Sequence, residues 1–336
     1  MAYLKPLLLL VTLTIFSFSN LFAQSDEPLT DEMTNLLKNE SFNVSLLLQS
    51  RANFSFENDD FNGGRSFGFG NGLLIMHGDL DNNFNYFFQM DFSRDFSLLD
   101  INVGYEFAEE FEIVAGIQKP DIALDLQPNP GATDVINRAR LVGTLNNVRE
   151  IGVSAKGDLG NFDYNLSMFN GQGFDRNNDG YFMYLAKLGY TADLGGSKSL
   201  YIGANGAINN TEDHAVGNTG ITATDRLIYG AYATFDSDVW FGTVEFLETS
   251  FEEGSVANER ITGMYATLGN KINDQNELVG RWDHISYDVT DFNSNRFVLG
   301  WNHFATSVIT LQINALADFH EEGESFGLSG NFQFMF

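Results

Sequence analysis

The sequence has no cysteine, only five prolines among 336 residues, and few basic side chains: 18 Lys and Arg stand against 45 Asp and Glu, a formal net charge of −27. Each shortage excludes something. Without cysteine the chain can form neither a disulfide framework nor a lipid-modified N-terminal thiol. So large an acidic excess argues against nucleic acid as a partner, because phosphate backbones are held by basic patches. Long apolar runs are also missing beyond the first two dozen residues, so no later segment suits a membrane-spanning helix. What is abundant instead is phenylalanine, 32 residues, and glycine, 33, a pairing that fits many strands joined by tight turns.

The opening stretch "MAYLKPLLLLVTLTIFSFSNLFAQ" places Lys5 before an apolar run and ends it on a polar pair and Ala23. That order reads as a secretory signal peptide over residues 1–23, cleaved after Ala23. A leader follows over 24–40, expected in the periplasm and carrying a short helical turn near Met33–Leu37.

From residue 41 onward the dominant period is two. In "SFNVSLLLQSRANFSFE", Phe42, Val44, Leu46, Leu48, Ala52, Phe54 and Phe56 share one face, and Asn43, Ser45, Gln49, Arg51, Asn53 and Ser55 share the other. The same alternation ends the chain, where Phe326, Leu328, Phe332, Phe334 and Phe336 are interleaved with small or polar residues. Placing a strand on every such run gives sixteen, near 41–57, 65–79, 83–93, 96–107, 110–118, 148–158, 161–170, 181–193, 198–209, 225–236, 238–250, 257–269, 276–288, 295–305, 308–319 and 325–336. Even-numbered links are short, such as "GDLG" and "LGGSK". Odd-numbered links are mostly longer, among them "NTEDHAVGNTGITAT" and the stretch 119–147.

Short turns on one side and long loops on the other are the layout of a transmembrane antiparallel β-barrel of an outer membrane, with its aromatic faces toward lipid and its polar faces toward a wet lumen. No linker or repeat divides residues 41–336, so they read as one barrel domain. The last strand must pair with the first, since an open edge in hydrocarbon would leave backbone groups unsatisfied. Sixteen strands enclose more space than inward side chains fill, and the stretch after strand five is the one loop long enough to fold inward and narrow it.

Four blocks, "AGIQKPDIALDL", "VINRARLVGTL", "REIGVSAKGD" and "YNLSMFNGQGFD", in that order and spacing, resemble the phosphate-selective porin O and P family over about residues 113–175. The resemblance implies a sixteen-stranded, homotrimeric outer-membrane porin whose third extracellular loop enters the pore and whose basic residues select anions such as phosphate. It places Lys119, Arg138 and Arg140 in or beside the constriction, with Lys156 on the inward face of strand six. The loop also carries Asp121, Asp125 and Asp134. Alternation alone points Arg51, Lys187, Arg281 and Arg296 into the lumen, together with carboxylates that include Asp100, Glu112, Asp163, Glu245, Asp283 and Asp318. Basic residues therefore do not dominate the wall, whereas a strong anion preference needs them to dominate the narrowest section. The terminal Phe336 resembles the signal by which barrel-assembly machinery picks its substrates, and lipid with lipopolysaccharide is the expected surrounding.

Other constellations read more plainly. "DRNNDG" offers Asp175, Asn177 and Asp179 with the opening spacing of a calcium loop, but the position that needs a bidentate glutamate is Ala186, so a turn is the primary reading and a weak calcium site the alternative. The five histidines form no metal pair, and His77, His284 and His303 fall on or near outward faces. The expectation is a passive channel for small hydrophilic solutes and ions, with no enzymatic activity and no cofactor. Two alternatives stand beside it: a loop-plugged barrel that binds ligands at the cell surface, and a hydrolase built on Asp283, His284 and Ser286. Alternation argues against the second by placing Asp283 and His284 on opposite faces.

Overall fold

The computed structural model describes residues 38–39, 41–56, 61–80, 83–93, 96–145, 147–175, 179–215, 222–253, 256–288, 291–321 and 323–336. The expected signal peptide, and the leader apart from Lys38–Asn39, lie outside the described residues. The chain divides into a unit of residues 1–39 and a unit of residues 40–336. The second is a closed barrel of sixteen antiparallel strands: β1 Phe42–Ser55, β2 Arg65–Leu80, β3 Phe84–Asp91, β4 Ser97–Ala108, β5 Phe111–Gln118, β6 Glu150–Leu159, β7 Phe162–Phe169, β8 Met183–Gly195, β9 Lys198–Ala215, β10 Thr222–Asp236, β11 Trp240–Glu253, β12 Val256–Asn273, β13 Asn276–Tyr287, β14 Phe292–Phe304, β15 Ile309–His320 and β16 Gly323–Met335.

Each strand pairs with its sequence neighbours, and β16 closes the ring on β1 from Gly327 opposite Ser55 to Met335 opposite Leu47. Phe336 extends this seam by exchanging backbone hydrogen bonds with Leu46, at 3.2 and 3.3 Å. The seam leaves no open edge for hydrocarbon to meet.

The faces are inverted relative to a protein with an apolar core. Leu166, Leu188, Ile202, Val244, Leu268 and Leu299 are exposed on the outside, while Gln49, Ser154, Asn205, Thr249, Asn302 and Gln333 are buried inside. Period two produces this arrangement directly, since adjacent residues of a strand point to opposite sides of the wall. Outside, polar atoms near the ends of β13 and β14 are satisfied locally. The Asn295 side-chain Oδ1 accepts from Trp282 Nε1 at 3.0 Å and lies 3.1 Å from His284 Nδ1. At the other end of the same ladder, the Asn276 side-chain Oδ1 accepts from Trp301 Nε1 at 3.2 Å, with His303 Nδ1 at 3.1 Å. Amphipathic rings in such positions suit the two membrane–water boundaries.

Two expectations change. The segment 210–224 is not simply a loop: β9 runs to Ala215 and β10 starts at Thr222, with a register shift between Asn210 and His214, because the sheet continues outward as a hairpin. The link between β11 and β12 shortens for the same reason. His77 faces inward rather than outward, stacked on Phe87 with ring centroids 6.4 Å apart. The cause is a register shift between Leu48 and Ser50 where β1 meets β2, which swaps faces along the rest of β2.

Replacing Phe332, an exposed outward residue, by Arg is expected to lower barrel stability in lipid vesicles by up to about 2–4 kcal/mol, the cost of a cation on the lipid face. Asn331→Arg, on the inward face, is expected to cost less. Denaturant unfolding of the two variants in the same vesicles makes the comparison, and equal losses would contradict the inverted-face assignment.

Candidate functional site

The polar inner wall gives the segment 119–149 something to hold. The segment leaves β5, forms 3-10 turns at Leu124–Leu126 and Pro130–Ala132 and a short helix α1, Arg140–Leu145, and returns to β6. Asn129 caps the second turn by accepting from Gly131 N at 2.9 Å. Buried Ile122, Leu126, Leu141, Val142 and Leu145 pack on Leu185, Ile228, Leu247, Ile261, Tyr265 and Ile285 of the wall. Gly263 of β12 makes room for α1: a Cβ there would stand 2.6 Å from Leu141 Cβ.

The backbone of the segment is tied down by wall side chains, as buried polar groups must be. Glu245 accepts from Leu124 N at 2.6 Å and from Asp125 N at 3.3 Å. Asn314 accepts from Ile136 N at 2.8 Å. Asn302 donates to Asp134 O, Gln312 to Thr133 O, Gln333 to Gly131 O and Gln49 to Pro130 O, all within 3.1 Å. Asn205 donates to Ile122 O. The attachments thus run from β9 through β11 and β14–β16 to β1.

The charged residues named from sequence separate into two groups. Asp125 is held by Arg281 at 3.2 Å and accepts from Ala139 N at 2.6 Å. Asp121 pairs with Lys187 at 3.2 Å, and Lys187 also meets Asp163 at 2.8 Å. Arg140 lies between Asp283 and Asp318, at 3.6 and 3.8 Å, and donates to Ser294 Oγ at 2.7 Å. Arg296 bonds Asp318 at 2.6 Å. These charges are consumed in anchoring.

A second group makes no salt bridge among the described residues and donates to neutral acceptors. Lys119 Nζ donates to Gln127 O at 2.8 Å and Pro128 O at 3.2 Å. Arg138 donates to Asp125 O and to Pro128 O at 2.6 Å. Arg51 donates to Asn137 Oδ1 at 3.2 Å and to Ile136 O and Gln49 Oε1, each at 3.3 Å. Burial, then the nearby Arg149 and Arg138 guanidinium groups, push the Lys119 ammonium down to about 7, while Asp100 acts the other way. Burial raises the Asp134 carboxyl to about 6 against the opposing pull of Arg281.

Lys156 does not join the segment. It sits on β6 beside Glu112, 3.2 Å away, toward the short-turn end of the barrel. Asn177 lies outside the described residues; Asp179 accepts from Gln172 Nε2 at 2.8 Å and from Tyr181 N at 2.9 Å, as in a turn. Among the described residues no group of three His, Cys, Asp or Glu gathers to hold a metal. Asp283 faces Arg140 while His284 faces Asn295 on the outside, so the hydrolytic group is not assembled.

Sequence reading missed Phe61. It turns into the barrel and packs with Val135, Val279, Val298 and Leu316, and the Arg296 guanidinium lies 5.6 Å from its ring centre. The available signal was a lone large apolar residue inside the polar link "NDDFNGG".

A closed barrel with a lipid-facing exterior, a polar interior and a segment bound to its inner wall defines an outer-membrane channel protein. The profile of the phosphate-selective porin O and P family matches residues 42–237, more than half of the chain, and the chain belongs to that family. Solved structures agree in fold at low identity. OprB of Pseudomonas putida superposes with a TM-score of 0.67 at 10% identity, covering 91% of this chain and 97% of that one. OmpT of Vibrio cholerae, described in a trimer form, gives 0.64 at 11% identity over 88% and 99%. OmpF of Salmonella typhi, in complex with daunomycin, gives 0.64 at 9% over 88% and 97%. Among curated protein sequences none matches.

Arg281→Met should leave Asp125 buried without its cation, a loss of about 3–5 kcal/mol in the attachment of the segment. Single-channel recordings are expected to show higher and noisier conductance. Gly263→Leu, which displaces α1 without touching a charge, should act in the same direction. Quiet, unchanged channels from both variants would refute the anchoring role.

Proposed function

We propose that the chain is a passive, non-enzymatic diffusion channel for small hydrophilic solutes and ions with a modest preference for anions, phosphate included. The observation that carries this reading is the uneven pairing of charge in segment 119–149. Asp121 and Asp125 are each matched by a cation of the wall, whereas Lys119 and Arg138 of the segment, with Arg51 of β1 against it, are held by neutral acceptors. Unmatched positive charge at a narrow place raises the local anion concentration. Selectivity then follows from three side chains rather than from the total charge, which is strongly negative.

The family supports a homotrimer, as does the trimer form described for the Vibrio OmpT structure. Export through residues 1–23, barrel assembly guided by the strand ending in Phe336, and contact with lipopolysaccharide belong to the same reading. The plugged, surface-binding alternative draws on Phe61 and on the extent of wall that the segment occupies. It predicts no ohmic current.

Reversal potentials in asymmetric potassium chloride test the reading. The wild-type channel is expected to favour chloride, and replacing Lys119, Arg138 and Arg51 together by Gln should abolish the preference. A potential that does not move removes these residues from selectivity.

The pH dependence has a defined sign. Lys119 is lowered to about 7 and so gains its charge as pH falls through 7; Asp134 is raised to about 6 and loses its charge as pH falls through 6. Both changes make the passage more positive on acidification. Anion preference should therefore rise between pH 8 and pH 5, with the upper half of the change absent in Lys119→Gln and the lower half absent in Asp134→Asn.

A further inference from the structure

The attachments of segment 119–149 lie mainly on β8–β16 and β1, and the wall built from β2 to β6 faces a cavity of about 530 Å³. Its roof is Lys119 and Gln127 at the base of the segment, and it reaches Asp79 and Asn85 near the short-turn end. The size suits a small-molecule site.

Its charges are largely compensated. Glu112 is paired with Lys156 at 3.2 Å, and Asp100 with Arg149 at 2.8 Å. Its amides have already spent donors on protein: Asn85 donates to Glu112 at 2.7 Å and Asn102 to Ile117 O at 3.1 Å. Asp100, which lines the cavity and is 2% exposed, has its second carboxylate oxygen buried, with no hydrogen-bond partner among the described residues. The lining thus offers both kinds of group, carbonyl and carboxylate acceptors together with the ammonium donors of Lys119 and Lys156. A hydroxyl brings a donor and an acceptor on one atom and suits such a mixed lining, whereas the carboxylates of Asp79, Asp100 and Glu112 oppose the entry of a phosphate. On the β2–β3 wall, His77 stacked on Phe87 offers an apolar platform for the C–H face of a ring.

We propose that this cavity is a binding step for a neutral polyhydroxylated solute, a sugar or sugar alcohol, adjoining the anion-preferring charges and sharing Lys119 with them; the proposal rests on the channel reading and names a second substrate class for it. A solute held there by several hydroxyls passes in a saturable manner, unlike one that merely diffuses.

The test uses the full-length protein, purified from membranes and reconstituted into planar bilayers in potassium chloride. Maltose is added to one side, with a polyethylene glycol of similar size as control. The expected result is a saturable, maltose-specific block of ion current. Asn102→Leu and Phe87→Ala should each raise the half-blocking concentration about three- to tenfold, the scale of one lost hydrogen bond or ring contact. Heat-modifiable migration on gels certifies that each variant is folded. Normal ion conductance with a maltose effect that is linear and equal to that of the polymer overturns the sugar site and leaves the channel reading intact. A lack of any ion conductance overturns both.

Discussion

The constraint on which the structure depends is that a peptide group in hydrocarbon has no water to bond. Every strand must find two partners, so the sheet must close, and closure is completed by β16 on β1 with Phe336 bonded to Leu46. The inverted faces follow. Once the outside is committed to acyl chains, the opposite side of every strand is left to polar residues, and sixteen strands hold those residues too far apart to fill the middle. A wide wet lumen is thus a by-product of satisfying the backbone, and something else must set its bore.

Segment 119–149 is suited to that task because its own backbone has the same requirement. A loop inside a barrel must have its N–H and C=O groups met, and here the wall meets them with Gln, Asn and Glu side chains rather than with strand pairing. Apolar packing of Leu141, Val142 and Leu145 supplies the non-directional part, and the Arg281–Asp125 pair supplies registry. A buried ion pair is costly to desolvate and adds little net stability, but removing one partner is costlier still, so it fixes a position more than it strengthens one. Two carboxylates of the segment, Asp121 and Asp125, are spent as anchors, while burial pushes the third, Asp134, up to about 6.

The strands were legible in the sequence because period two is enforced twice, once by lipid and once by water. Fifteen-residue runs such as the one around Val44 to Phe54 need no tertiary information to be recognised. Facing failed at His77 because a bulge is a local register event that alternation cannot anticipate. The extension of β9 and β10 was hidden for another reason: beyond the membrane both faces are wet, and the alternation that marks a strand disappears. The route of segment 119–149 depends on partners up to 200 residues away, as with Gln333 and Gly131. Yet it left a trace. Leu185, Ile228, Leu247, Ile261 and Ile285 are apolar on faces that should be polar, and they are the residues the segment covers. Apolar interruptions on a lumenal face identify a wall with something resting on it.

The same logic divides the lumen. Where wall residues are apolar or matched to segment groups, the wall is occupied and its charges are committed to anchoring. Along β2–β6, where the segment has fewer attachments, the wall is left facing open space, with Glu112 closed on Lys156 and Asp100 on Arg149 at the end of the segment. The two regions meet at Lys119, whose ammonium is roofed by segment carbonyls and crowded by Arg149 and Arg138. Lys119 therefore sits between the two regions, and burial with two neighbouring cations lowers its ammonium to about 7. On the proposed reading, a solute crossing that boundary exchanges a field for directional contacts, and Lys119, whose charge responds to the pH of the medium, governs the exchange.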